Sequence, residues 1–243
     1  LILLQPDFGT AMVYLFFIAA MLFVAGISWK WIGLFAVIGL VGGYILLTNL
    51  SGFRADRIQN FLNPSRDISG SNWQQYQGMI AIGSGMLNGR GFLKGSQSQY
   101  GYIPEKETDF IFSVLAEELG FIGAIILVIL FTIIIIRLVM IARKSNNTFI
   151  TIMVTGVAAM IFIHIFENIG MTIGIMPVTG IPLPLLSSGG TFQLICLILI
   201  GLALTASMQK SYRDPDLLDY ETMNVIDPKL VSNSKKLANK SQV

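Results

Sequence analysis

A single cysteine, Cys196, and a single histidine, His164, occur among 243 residues. One cysteine excludes an intrachain disulfide, and one of each excludes a Cys/His zinc site. Charge is scarce as well. Asp, Glu, Lys and Arg make up 12% of the chain and leave a net charge of +2, too little to suggest a nucleic-acid partner. No G-x-x-x-x-G-K-[ST] stretch occurs, so there is no phosphate loop for a nucleoside triphosphate. What is abundant is apolar sequence, 53% of residues, which excludes disorder and fits a membrane protein. It starts at once, without a basic segment or cleavage site ahead of it. Leu1 to Leu4 therefore read as the end of an earlier span rather than as a signal peptide.

About 20 apolar residues carry a helix across a bilayer. Five stretches qualify, at roughly 9–29, 31–50, 110–137, 148–167 and 189–208. Lipid offers backbone groups no partner, so each span must be helical. The expected fold is an all-α polytopic bundle over 1–208, followed by a polar tail, 209–243. The connection from Ser51 to Asp109 is too long to be passive. Its segment "GMIAIGSGMLNGRGFLKG" is too short and too polar for a span and reads as interfacial or re-entrant. A second irregular region, 168–192, is apolar yet holds Pro177, Pro182 and Pro184, which forbid a regular helix. It is expected to form a cap at the mouth of a cavity, since irregular backbone at membrane depth needs protein or a cavity beside it. Basic residues nearly balance between the two sides, but the short 137–147 connection carries only basic charge. That favours the long loop outside and the tail inside.

The acids at the start of the third span stand out: Glu105, Glu107, Asp109, Glu117 and Glu118. On a helix beginning near Asp109, Glu117 would lie about 12 Å deeper on a similar face, with Glu118 nearly opposite. A carboxylate at that depth costs at least ~2.5 kcal/mol and usually faces the bundle interior or a wet cavity. Glu117 and Glu118 either line such a cavity or lock the bundle. Asp109 either caps the helix or is a carboxylate held at the cavity mouth. Arg54, Arg57, Arg66, Arg90, Lys94 and Lys106 lie in the long loop. They are solvated charges or, with the glycines between 83 and 95, the makings of a phosphate site. Asp7 follows Pro6 and can cap the first helix. His164 and Glu167 are a buried polar contact or part of a cavity wall.

Five stretches, in order, carry a resemblance: "QPDFGTA", "RIQNFLNPSRD", "AIGSG", "GSQSQYGYIPEKETDFIFSVLAEELGFIG" and "NIGMTIGIMPVTGIPLPLLSSGGT". Together they resemble the SEDS family, the RodA/FtsW/SpoVE proteins of bacterial cell-wall synthesis. The resemblance runs from residue 5 to about 208, and "GSQSQ" and "GIPLPL" look more like the RodA type. It implies a ten-span glycosyltransferase of the cytoplasmic membrane, of which this chain would hold about five complete spans. The loop at 51–109 and the cap at 168–190 would be extracytoplasmic, and the C-terminus cytoplasmic. The implied reaction joins lipid II into glycan strands in cell elongation and shape control. The implied partner is a class B penicillin-binding protein. By the same resemblance Asp109 is the essential aspartate, and Asp7 and Ser187 match further motif residues. Glu107 stands where the family often has His, Ser188 where an aromatic is frequent, and Met86 where Gly is frequent.

These readings make Asp109 the expected catalytic base. Asp7, Arg54, Arg57, Lys106, Glu117 and Ser187 are the expected substrate-binding residues. A divalent cation, Mg or Mn, is a possible addition, since Asp109 and Asp7 offer oxygen ligands. Two other functions suit part of the pattern. A flippase for the same lipid-linked precursor would use intramembrane acids and a proline-broken segment. A scaffold for the penicillin-binding protein would leave the acids without a task.

Overall fold

The structure is a computed structural model. It describes residues 8–28, positions 30, 31, 33, 34 and 37, and residues 72–209. Nearly all of these belong to the first of two compact units, Leu1–Ala206 and Ser207–Val243. Asp7, Arg54, Arg57, Arg66, most of the expected 31–50 span and nearly all of the tail lie outside the described residues.

Among the described residues all regular secondary structure is helical. The elements are α1 (Phe8–Val24), α2 (Trp73–Gly85), α3 (Ser96–Gln99), α4 (Ile111–Lys144), α5 (Thr148–Thr172) and α6 (Gly190–Gln209). Three of them, α4, α5 and α6, are long and apolar enough to cross a membrane. They match the expected spans at 110–137, 148–167 and 189–208, and α4 runs about two turns further. The helix in the 9–29 stretch is shorter than expected. It stops at Val24 because Gly26 takes φ +89°. The Gly26 N–H then bonds Phe23 O and the Ile27 N–H bonds Leu22 O, at 3.1 and 3.2 Å. This is the paired closure by which glycine ends a helix.

The long helices α4 and α5 form an antiparallel pair joined at Ser145–Asn147, with Asn147 Oδ1 accepting the Phe149 N–H at 2.9 Å. Phe112, Leu127, Phe131 and Leu138 pack with Val154, Val157, Ile161 and Ile165, and α6 adds Ala203 and Ala206. Helix α1 packs on α5, and α2 packs on the start of α4. The opposite side of α4 leaves Ile122, Ile126, Ile129, Ile133 and Ile136 exposed. A bare isoleucine face of this length fits hydrocarbon as its surroundings, so the chain is a multi-pass membrane protein.

One feature of α4 was not legible in its apolar run. Gly120 has φ 71° and ψ −169°, which breaks the helix. In a continuous helix the Glu117 and Glu118 carbonyls would pair with the N–H groups of Phe121 and Ile122. Here they accept from Arg90 and Gly91 at 2.9 and 3.0 Å. Phe121 and Ile122 donate to Met86 and Leu87 carbonyls at 2.8 and 3.2 Å. The loop after α2 thus supplies partners for these four groups at the break. A Cβ at Gly120 would collide with the backbone of Gly89 and Leu87, at a φ that side chains rarely adopt. Gly120→Ala is therefore expected to lower the thermal midpoint in detergent by about 5 °C or more. An unchanged midpoint would mean that the loop does not depend on the break.

Candidate active site

Asp109 precedes α4 in a turn that spans Pro104–Phe110. Phe110 fixes the turn: it is 1% exposed and packs with Ala81, Ile103 and Val178. The Phe110 N–H closes the turn on Glu105 O at 3.0 Å. Thr108 Oγ1 also donates to Glu105 Oε2 at 2.9 Å. Phe110 takes the position ahead of the first helical turn, and no side chain caps it. Asp109 is therefore not the helix cap, and it lies outside the helix on which its alignment with Glu117 was drawn.

The segment Ile173–Gly189 is irregular, and its three prolines all fall inside it. It begins later than residue 168, because α5 continues to Thr172. This cap and the end of α5 together hold the Asp109 turn by three consecutive carbonyls. Glu107 O accepts the Ser188 N–H at 2.8 Å. Thr108 O accepts Ser187 Oγ at 2.6 Å. Asp109 O accepts Asn168 Nδ2 at 2.8 Å. Ser187 is 1% exposed, and its oxygen also accepts the Leu183 N–H at 2.8 Å. Its hydroxyl is thus spent on backbone. Asn168 Nδ2 gives its second hydrogen to Ile181 O at 2.7 Å, which ties α5, the cap and the turn together. Asn168 was not singled out from the sequence. The sequence offered only an amide ahead of a proline-bearing segment, and its full burial emerges from the structure.

With its backbone fixed, the Asp109 side chain is half-buried beside Gly180, where a Cβ would stand 3.6 Å from Oδ2. No described residue bonds its carboxylate. Burial pushes the Asp109 carboxyl above the ordinary carboxylate range, and the charge of Glu105 pushes it the same way.

Glu117 belongs to a different cluster. It is fully buried, and its carboxylate accepts the N–H groups of Gln97 and Ser98 at 2.9 and 3.0 Å. Ser84 Oγ and Ser96 Oγ approach it at 3.4 and 3.5 Å. The carboxylate therefore sits at the start of α3 and anchors the loop to α4. Lys106 joins this cluster, its Nζ donating to Ser98 O at 2.9 Å. His164 sets Nδ1 2.8 Å from Met160 O and stacks on Phe192 with ring centres 5.1 Å apart. Glu167 is fully buried on the same helix. Of the expected site residues, the structure brings Ser187 to the Asp109 turn and Lys106 to the carbonyl of Ser98, whose N–H bonds Glu117. Asp7, Arg54 and Arg57 lie outside the described residues. Among the described residues no three His, Cys, Asp or Glu side chains cluster as a metal site would need.

Residues 1–212 match the family model described as "Cell cycle protein", FTSW_RODA_SPOVE. Among curated relatives, the peptidoglycan glycosyltransferase MrdB of Escherichia coli K12 is 39% identical over 84% of this chain and 56% of its own length. A "Probable peptidoglycan glycosyltransferase FtsW" of Coxiella burnetii is 41% identical over 84% of this chain and 55% of its own. The chain thus spans about half the length of the curated relatives it matches. A solved chain from a peptidoglycan synthase complex, described as coordinating polymerization and crosslinking, superposes with a TM-score of 0.69. That chain is 33% identical, with 87% of this chain and 58% of the other covered.

The double use of Ser187 Oγ yields a test. Ser187→Ala strands the Leu183 N–H and the Thr108 carbonyl, a loss of about 1–3 kcal/mol. Thermal unfolding of the purified protein should show a clearly lower midpoint. A midpoint equal to wild type would mean that the cap does not lean on this hydroxyl.

Proposed function

The chain belongs to the FtsW/RodA/SpoVE family of cell cycle proteins, and from that membership we propose that its protein polymerises lipid II into glycan strands. The observation that carries the reading is Asp109: a carboxylate that no described residue bonds, on a turn whose backbone is fixed at three successive carbonyls. A general base has to be held in place yet remain open to its substrate, and this arrangement does both.

In the proposed reaction Asp109 takes the proton of the acceptor sugar's 4-hydroxyl as that oxygen attacks the anomeric carbon of the donor. The bond from that carbon to the polyprenyl diphosphate breaks, and the diphosphate leaves with the electron pair. In-line attack inverts the anomeric centre. A diphosphate needs no proton to depart, so one carboxylate suffices where a glycosidase needs two. The raised pKa of Asp109 suits the role, because a base works best when its pKa approaches the working pH. A divalent cation, Mg or Mn, would be held by Asp109 and Asp7 and would supply positive charge to the leaving diphosphate. No step above is routed through it. Asp7, Arg54, Arg57 and Lys106 remain proposed contacts to the diphosphate. Glu117 and Ser187 act through the loop and the cap, as positioning residues.

The membrane sidedness completes the reading. The 51–109 loop and the cap face the outside, where cell wall is built, and the tail from 209 faces the cytoplasm. The partner is a class B penicillin-binding protein that crosslinks the strands, in keeping with the synthase complex that this fold resembles. The role in elongation rests on the RodA-like stretches "GSQSQ" and "GIPLPL".

The test is polymerisation of lipid II by the full-length protein with its partner. Asp109→Asn is expected to cost 10²–10⁴-fold in rate, roughly the share of a general base, while thermal midpoint and partner binding stay at wild-type values. Polymer made by the folded Asn variant at the wild-type rate would remove Asp109 as the base.

A further inference from the structure

The loop Met86–Lys94 exposes four large apolar side chains: Met86 by 80%, Leu87 by 64%, Phe92 by 74% and Leu93 by 62%. None of this is needed to pair the helix break, which uses only backbone atoms. Two of the four adopt backbone conformations that glycine would take more easily, with φ 47° at Met86 and 58° at Leu93. Side chains of this size are thus held in strained positions and pointed away from the protein. Strain of this kind marks a task when the surroundings give it no structural use.

The level of the loop indicates what it meets. Met86 O and Leu87 O accept the N–H groups of Phe121 and Ile122, the first residues of the exposed apolar face of α4. That face continues through Ile125, Ile126, Ile129, Leu130, Ile133 and Ile136. The loop is therefore continuous with a lipid-facing surface and sits at its border. Arg90 and Lys94 are exposed within the same nine residues. Arg90 gives only its Nε–H, to Ser84 O at 3.2 Å, which leaves the end of its guanidinium available. Apolar tips beside exposed cations are the pattern of a segment lying in a membrane interface.

We propose that Met86–Lys94 is a wedge in the bilayer interface. Met86, Leu87, Phe92 and Leu93 enter the acyl region, and Arg90 and Lys94 bond phosphate headgroups of anionic lipid. The wedge fixes the height of the α2–α4 loop against the membrane, and it stands whether or not the proposed reaction holds.

The test uses the full-length protein with its cysteines replaced, Cys196→Ala among them. Single cysteines are introduced as L87C, F92C and, for reference, N146C, and each is labelled with a polarity-sensitive fluorophore. In vesicles containing phosphatidylglycerol, labels at 87 and 92 should emit blue-shifted from the label at 146. They should lose most of their intensity when acyl chains are brominated and little of it to aqueous iodide. Deeper seating in anionic than in zwitterionic vesicles should vanish with R90Q plus K94Q. Iodide-quenched, water-like emission at both sites would overturn the wedge. So would shielding that appears only when the penicillin-binding protein is added, and equal depth in both vesicle types would overturn the headgroup contact.

Discussion

Backbone polar groups near hydrocarbon must find partners inside the protein. Among the described residues, regular helix is interrupted at Gly120 and again between α5 and α6, and each interruption is answered by a defined set of hydrogen bonds. At Gly120 the groups released by α4 are taken up by the backbone of residues 86–91. Between α5 and α6, the proline-bearing cap satisfies itself against the turn before α4, with Asn168, Ser187 and the Ser188 N–H as connectors. The same bonds that make irregular backbone tolerable also hold the Asp109 turn still.

Two acids a short distance apart in sequence consequently have opposite fates. Glu117 is buried with two backbone N–H donors on its oxygens. Charge-assisted bonds of this kind are strong and specific, and they commit the side chain to holding α3. Asp109 has its backbone committed in its place, so its carboxylate stays open, half-desolvated and next to a like charge. The Asp109 turn is positioned by main chain and by neutral side chains, which leaves its carboxylate unbonded by any described residue.

The sequence made some of this plain. The spans near 110–137, 148–167 and 189–208 were readable because bilayer thickness sets helix length. The prolines located an irregular cap, and the acids located the start of α4. The end of α1 was not legible, because nothing in an apolar stretch marks the positive φ that Gly26 adopts. The fate of Glu117 was hidden for another reason: its partners lie about 20 residues earlier and are backbone N–H groups, which any sequence supplies. Asn168 escaped notice because a buried amide has no spacing rule. Family resemblance singled out Asp109, while the three anchors that position it emerge only when the cap and the turn meet in space.

The central claim is that Asp109 acts as a base with its carboxyl raised by burial and by Glu105. The most direct measurement is the pH profile of lipid II polymerisation, wild type against Glu105→Gln. A base must be deprotonated, so the rate should climb with pH through an inflection above the ordinary carboxylate range. Removing the Glu105 charge should move that inflection to lower pH, since a like charge disfavours ionisation. A rate without an inflection, or one that Glu105→Gln leaves in place, would contradict the account.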